Sequence, residues 1–156
     1  MTELTMKAKR IKLITKITVV LFIVIVACIG TVYFLLSARR DSIEAGHQGM
    51  IRYVVGIQSL FYEREGGYAG SWEQLRDDLI ANGTEITETG VQYRYTLEPA
   101  GDSLKGKNGG TVYVDFICIA EPVEYGMNGI RSFFVDSSGV IRYEYGKPAS
   151  KNSDPI

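Results

Sequence analysis

The sequence predicts an α+β protein: one long N-terminal helix, membrane-buried at its start, packed at its end on a small antiparallel β-meander of three to four strands. Three observations carry this. An uncharged apolar run fills positions 17–38. Apolar residues then recur at helical spacing as far as Tyr62, with no proline to interrupt them. Beyond Val91 the pattern changes to alternation, the period of a half-buried strand.

The chain of 156 residues has room for one modest core and an anchor. Its net charge of −1 hides an asymmetry. Lys7, Lys9, Arg10, Lys12 and Lys16 stand against Glu3 in residues 1–16, whereas Arg39 onward holds 12 basic and 17 acidic residues. An acidic remainder is no electrostatic partner for nucleic acid. Basic residues flanking an apolar run hold that end in the cytoplasm, which predicts a single pass with the C-terminal part outside the inner membrane. The expected division is a basic cytoplasmic leader (1–16), a transmembrane half-helix (17–38), an extracytoplasmic domain (39–146) and a flexible tail (147–156).

The 22 residues from Ile17 to Ala38 make a helix of about 33 Å, enough for a hydrocarbon core of about 30 Å. A cleaved signal has a shorter apolar core closed by small residues, and Leu36-Ser37-Ala38 is a poor version of that site. Ile25-Val26-Ala27-Cys28 resembles a lipobox, yet another apolar stretch follows Cys28 where a polar tether belongs. A retained anchor is the better reading, with Ile17, Leu21, Ala27, Cys28 and Gly30 as membrane-facing or helix-packing residues. The last three form a small-residue patch suited to close packing in lipid.

Beyond the anchor, Met50, Val54, Ile57 and Phe61 define an amphipathic stripe widened by Ile51, Val55 and Leu60. His47, the only histidine, falls between Gly46 and Gly49 and is expected to be exposed. Gly66-Gly67 ends the helix. Ser71 and Gln74 form a capping box for a short second helix with Trp72, Leu75, Leu79 and Ile80 on its apolar side, closed by Asn82-Gly83. Val91, Tyr93, Tyr95 and Leu97 then face one way. Residues 99–110, rich in glycine and lysine, read as a hairpin connection. Val112, Val114, Phe116, Cys118 and Ala120 share the core face of the next strand. The last hairpin has arms 130–135 and 140–145 around Asp136-Ser137-Ser138-Gly139. One sheet face is expected to cover the helix and the other to be largely solvated.

Neither catalysis nor a cofactor is implied. The sequence carries no phosphate-cradling glycine motif, no serine elbow and no paired His/Cys ligand spacing. Cys28 and Cys118 lie on different sides of the anchor boundary and cannot staple the outer domain.

The run KITVVLFIVIVACIG is similar to the start of type IV pilins and type II secretion pseudopilins, sharing Thr18, the aliphatic run 19–26 and the closing Ala27-Cys28-Ile29-Gly30. The helix continuation through GGYAGSWEQL resembles the passage that follows in pilin-like proteins, and GIRSFFVDSSGVIRYE resembles their last hairpin in environmental bacteria. The resemblance implies a pilin-like fold and a non-enzymatic structural role: a minor pilin or pseudopilin-type subunit or accessory of a type IV pilus or type II secretion system. Its partners would be the lipid bilayer, other pilin-like subunits and assembly proteins. In that register the prepilin-peptidase junction falls between Lys16 and Ile17 and is degenerate, since Lys16 replaces the family's glycine and Leu21 its glutamate. The alternative is an uncleaved, single-pass tethered binding or sensor module that does not polymerise. Some pseudopilins hold calcium, for which Asp102, Glu121 or Glu124 would be the candidates here.

Overall fold

The structure, a computed structural model, describes the backbone of residues 2–81 and 92–156 and the side chains of residues 14–79 and 92–156. Asn82-Gly83, Val91 and the Ile80 side chain therefore lie outside the described residues. The chain divides into two units, Met1–Arg39 and Arg40–Ile156. The first is helical throughout as part of α1, which runs unbroken over Thr2–Glu65. The second joins the rest of α1 to α2 (Trp72–Ala81) and to an antiparallel sheet of β1 (Tyr93–Lys105), β2 (Thr111–Pro122), β3 (Arg131–Asp136), β4 (Arg142–Tyr145) and β5 (Asp154–Pro155). The sheet order is the chain order, β1-β2-β3-β4-β5. This is the expected α+β layout, a long N-terminal helix packed on an antiparallel sheet, with one strand more than predicted.

The core lies between α1 and one sheet face. Ile51, Val54, Ile57 and Phe61 are buried against Leu97, Phe116, Cys118, Ala120, Phe133 and Val135, while α2 adds Leu75 and Leu79. A fully buried large aliphatic contributes about 1.5–3 kcal/mol by leaving water. The buried line is rotated from the stripe read off apolar residues alone. Leu60 is 52% exposed, and Gln58, fully buried, occupies the seam. Its amide donates to Ala69 O and accepts from Ala69 N, both at 2.9 Å, so its polar ends are satisfied and the loop after α1 is tied down.

The end of α1 is closed from two directions. Gly66, at φ +85°, turns back so that its N–H reaches Tyr62 O. The β1–β2 turn then covers remaining carbonyls: Lys107 N–H donates to Glu65 O at 2.8 Å and its ammonium to Glu63 O at 2.9 Å, placing a cation at the negative end of the helix. Arg64 forks onto both carboxylate oxygens of Asp78 and so joins α1 to α2. The capping box at α2 is only half formed. Ser71 Oγ receives the Gln74 N–H at 3.4 Å, but the Gln74 side chain accepts from Gly70 N–H and donates to Thr111 O, each at 2.7 Å.

Four further expectations are corrected. Residues 99–105 belong to β1, with Pro99 opposite Phe116. A proline is tolerated because β1 is the sheet edge, and Gly101 at φ +71° accommodates the irregularity between Ala100 and Ser103. Val114, expected in the core, is half exposed, for it stands across from that interruption, where Gly101 offers no side chain to cover it. The outer face of the sheet is not wholly solvated, since Ser132, Phe134 and Asp136 of β3 are all buried. The tail, expected to be loose, accounts for part of this. Ser132 Oγ donates to Lys147 O, Lys151 pairs with Asp136 at 3.5 Å, Ala149 is buried, and β5 pairs with β4.

Replacing Gln58 with alanine strands two buried backbone groups of Ala69. Urea denaturation of the full chain in detergent micelles, followed by the fluorescence of the single tryptophan, is expected to show a loss of about 2–3 kcal/mol. Gln58→Glu buries a carboxylate with one oxygen against the Ala69 carbonyl and should lose at least as much as Gln58→Ala.

Candidate functional site

The residues singled out in the anchor all stand on the outside of α1. Lys16, Ile17, Leu21, Ala27, Cys28 and Gly30 are exposed, and a Cβ added at Gly30 would meet nothing within 4 Å. Exposed valine, leucine, isoleucine and phenylalanine side chains occupy every side of this segment. Its two threonine hydroxyls are satisfied locally, Thr18 by Ile14 O at 3.0 Å and Thr31 by Ala27 O at 2.9 Å. A helix whose backbone groups are met internally and whose apolar surface is uncovered fits lipid rather than water. The segment is long and apolar enough to cross a membrane, compatible with a single-pass anchor.

The second feature is a polar seam where α1 meets the sheet, which the sequence reading missed. Glu44 has no exposure to solvent. Its Oε1 accepts from the N–H groups of Ile130 (2.7 Å) and Arg131 (3.1 Å), and its Oε2 pairs with Arg131 Nε at 2.5 Å. The Arg131 guanidinium also lies 5.8 Å from the centre of the Tyr143 ring. One turn along the helix, the His47 ring stacks on Tyr93 with centroids 4.0 Å apart, and its Nδ1 is 2.5 Å from the Tyr95 hydroxyl. The Tyr93 hydroxyl donates to Arg131 O at 2.8 Å, closing the circuit back to Glu44.

His47 is therefore half-buried, not exposed as its polar neighbours suggested. Burial lowers its pKa from the ordinary value, and hydrogen bonding from Gln92 offsets part of that shift. Burial likewise raises the Tyr93 and Tyr95 hydroxyls, so both remain protonated donors. Chemically the seam is a fastening: the Glu44 oxygens are occupied by protein donors, and Tyr93 spends its proton on a backbone carbonyl. The sequence did contain a signal for it. Glu44, His47, Ile51, Val54, Gln58 and Phe61 follow one another at steps of three and four, a single helix face that an apolar-only template cuts short.

Two further acidic side chains serve backbone geometry. Asp115 accepts from Phe116 N–H (2.7 Å) and Ser137 N–H (3.0 Å), and Asp136 accepts from Ser138 N–H (3.0 Å), so together they hold the β3–β4 turn. Asp102 lies in β1, Glu121 in β2 and Glu124 in the following loop. Among the described residues no group of three or more His, Cys, Asp or Glu side chains is placed to hold a metal ion. Cys118 is fully buried, and burial pushes its thiol up to about 12. No protein-family model, curated protein or solved structure matches this chain.

Two outcomes test the seam. Glu44→Ala leaves Arg131 and two backbone N–H groups without their acceptor, and is expected to lower unfolding free energy by about 2–4 kcal/mol. The second concerns pH. With the His47 pKa depressed in the folded state, the unfolded chain binds more protons once pH drops below its own value of about 6.5. Stability from this residue is then complete above that pH and is lost as pH falls through the folded-state pKa. His47→Phe keeps the stacking surface and removes the titration, so its urea midpoint should fall less than the wild type's between pH 7.5 and pH 5.

Proposed function

We propose that this chain is a non-enzymatic, membrane-anchored structural protein of pilin-like type, a minor pilin or pseudopilin-type subunit or accessory of a type IV pilus or type II secretion system. The observation that carries the reading is a single helix, α1, with an all-round apolar segment toward its start and, farther along, a one-sided face beneath an antiparallel sheet. The similarity of the 16–30 segment and of the last hairpin to pilin-like sequences supports the family. The seam supports a non-catalytic role, because its polar groups are spent on one another and on backbone. The basic residues before Ile17 support a cytoplasmic N-terminus, which puts the domain on the outer side of the inner membrane. Its partners are then the lipid bilayer and other pilin-like subunits or assembly proteins.

Lys16 and Leu21 favour a second reading, an uncleaved tethered module that does not polymerise and acts as an accessory or binding partner. A lysine sits where the peptidase would cut, and no carboxylate is available at position 21 to meet a neighbouring subunit's N-terminal amine. Intact mass spectrometry of the membrane-extracted protein separates the two. Loss of residues 1–16 supports the filament subunit; an intact Met1 end excludes the ordinary filament subunit and leaves the accessory. Recovery in the soluble fraction after carbonate extraction would overturn both.

A further inference from the structure

His47 is the chain's single histidine, the residue type whose charge changes around neutral pH. It sits half-buried on the sheet side of α1, its Nδ1 2.5 Å from the Tyr95 hydroxyl. Burial keeps that hydroxyl protonated, so Tyr95 donates and the neutral imidazole accepts. Tyr95 is itself buried, and among the described residues its hydroxyl has no second hydrogen-bond partner. A proton taken from solvent onto Nδ1 occupies the lone pair that holds this bond, and two donors then face each other. The Tyr95 hydroxyl can accept only by turning its own hydrogen toward Cys118 and the apolar core, where a sulfur is a poor exchange for a ring nitrogen.

The charged and titratable groups around the ring leave an imidazolium without a counter-ion of its own. On α1, Glu44 stands one turn before His47, and Arg40 one turn before that. Both Glu44 oxygens are taken by the Ile130 and Arg131 N–H groups and by the Arg131 guanidinium of β3, a pair with no net charge. The Gln92 side chain, hydrogen-bonded to the ring just before β1, is uncharged. Tyr93 of β1, Cys118 of β2 and Tyr125 of the β2–β3 connection are held neutral by burial. Stacking on Tyr93 gives a cation a modest attraction. The lowered His47 pKa shows that the loss of hydration outweighs it.

The ring has a way out and the strand beneath it has few other holds. A Cβ added at Gly46 or Gly49 would meet nothing within 4 Å, so the helix surface beside His47 is open to water. β1 is the edge of the sheet and pairs with β2 alone. Farther along α1, Gln58 is bonded to both backbone groups of Ala69, and the Lys107 backbone N–H to Glu65 O, contacts that involve no titratable group. We propose that His47 is an acid-sensitive latch on the sheet edge: once protonated, its ring leaves Tyr93 and Tyr95 for water, and residues 93–97 of β1 come loose from α1 while β3 stays pinned to it through Glu44. Acid then uncovers two tyrosine rings at the edge of the outer domain and leaves the rest of its core in place.

The test uses the full chain in detergent micelles. The NMR signal of the lone histidine ring gives the pH at which His47 takes up its proton. Hydrogen exchange is then measured at pH 7.5 and at a pH where that signal shows the ring mostly protonated. The rate at residues 92–98 is read as a ratio to the rate at residues 57–69, which cancels the intrinsic effect of pH on exchange. The ratio is expected to rise several-fold on acidification in the wild type and to stay constant in His47→Phe. A constant ratio in the wild type would overturn the latch, whether nothing opens or the whole domain does. An equal rise in His47→Phe would overturn it too. Tyr95→Phe keeps the ring and removes the donor that favours the neutral imidazole, and it serves as the comparison should His47→Phe not fold. In this variant the histidine titration and the rise in the ratio should move together to higher pH; a titration that does not move overturns the part assigned to Tyr95.

Discussion

A carboxylate sealed from water must find hydrogen-bond donors, and Glu44 finds all of its partners on β3 and the residue before it. Apolar packing is non-directional and, by itself, would let a helix slide or roll on a sheet at little cost. Glu44 removes that freedom at one end of the seam and Gln58, clamped to Ala69, removes it at the other. The two pins are fourteen positions apart, about 21 Å of helix. Between them Ile51, Val54 and Ile57 bury apolar surface against the sheet, while the polar pins decide which face of α1 those residues can use. An unpaired charge at either Glu44 or Arg131 is penalised by several times the net worth of an ordinary hydrogen bond, which makes alternative alignments of helix and sheet unfavourable.

The same helix meets two kinds of surroundings, and its composition changes accordingly. Around residues 17–38 the apolar side chains point in all directions and both threonine hydroxyls are returned to the carbonyl one turn back. From Arg40 onward most exposed positions of α1 are polar residues or glycine, Leu60 and Tyr62 being exceptions, and the buried apolar side chains gather on the sheet side. An apolar surface without a covering element is a liability in water and an advantage in lipid. The functional reading depends on that contrast more than on any cluster of reactive groups.

The sheet guards its edges by different means. At β1, Pro99 withholds a donor and the break around Gly101 bends the strand away from regular pairing. At the opposite side, β4 is covered by the two-residue β5, which itself contains Pro155. The tail lets β3 be buried on both faces. Phe133 and Val135 enter the main core, while Ser132 and Asp136 on the reverse side are engaged by Lys147 and Lys151. A chain segment with two prolines and few apolar residues gave no periodic sign of this, because its attachment is made through carbonyls, a single alanine and one lysine.

Helix and strand identity, the long apolar span, the termination of α1 at Gly66 and the inward facing of Tyr93, Tyr95, Leu97, Phe116 and Cys118 were all legible in the amino-acid order. Each follows from local spacing, and spacing of apolar residues is a property of the chain alone. The extent of β1 past Pro99, the exposure of Val114 and the docking of the tail were decided by neighbours far away in sequence. So was the seam. Glu44 and Arg131 are 87 positions apart, and nothing near either one announces its partner. His47 looked exposed for the same reason: its glycine neighbours describe its own helix, whereas its burial is imposed by the rings of Tyr93 and Tyr95. The chain alone determined which segments are helical, extended or lipid-compatible, because those depend on period and composition. Only the tertiary structure decided which polar side chains are buried and paired, because a buried charge is tolerable only where folding brings its donors to it.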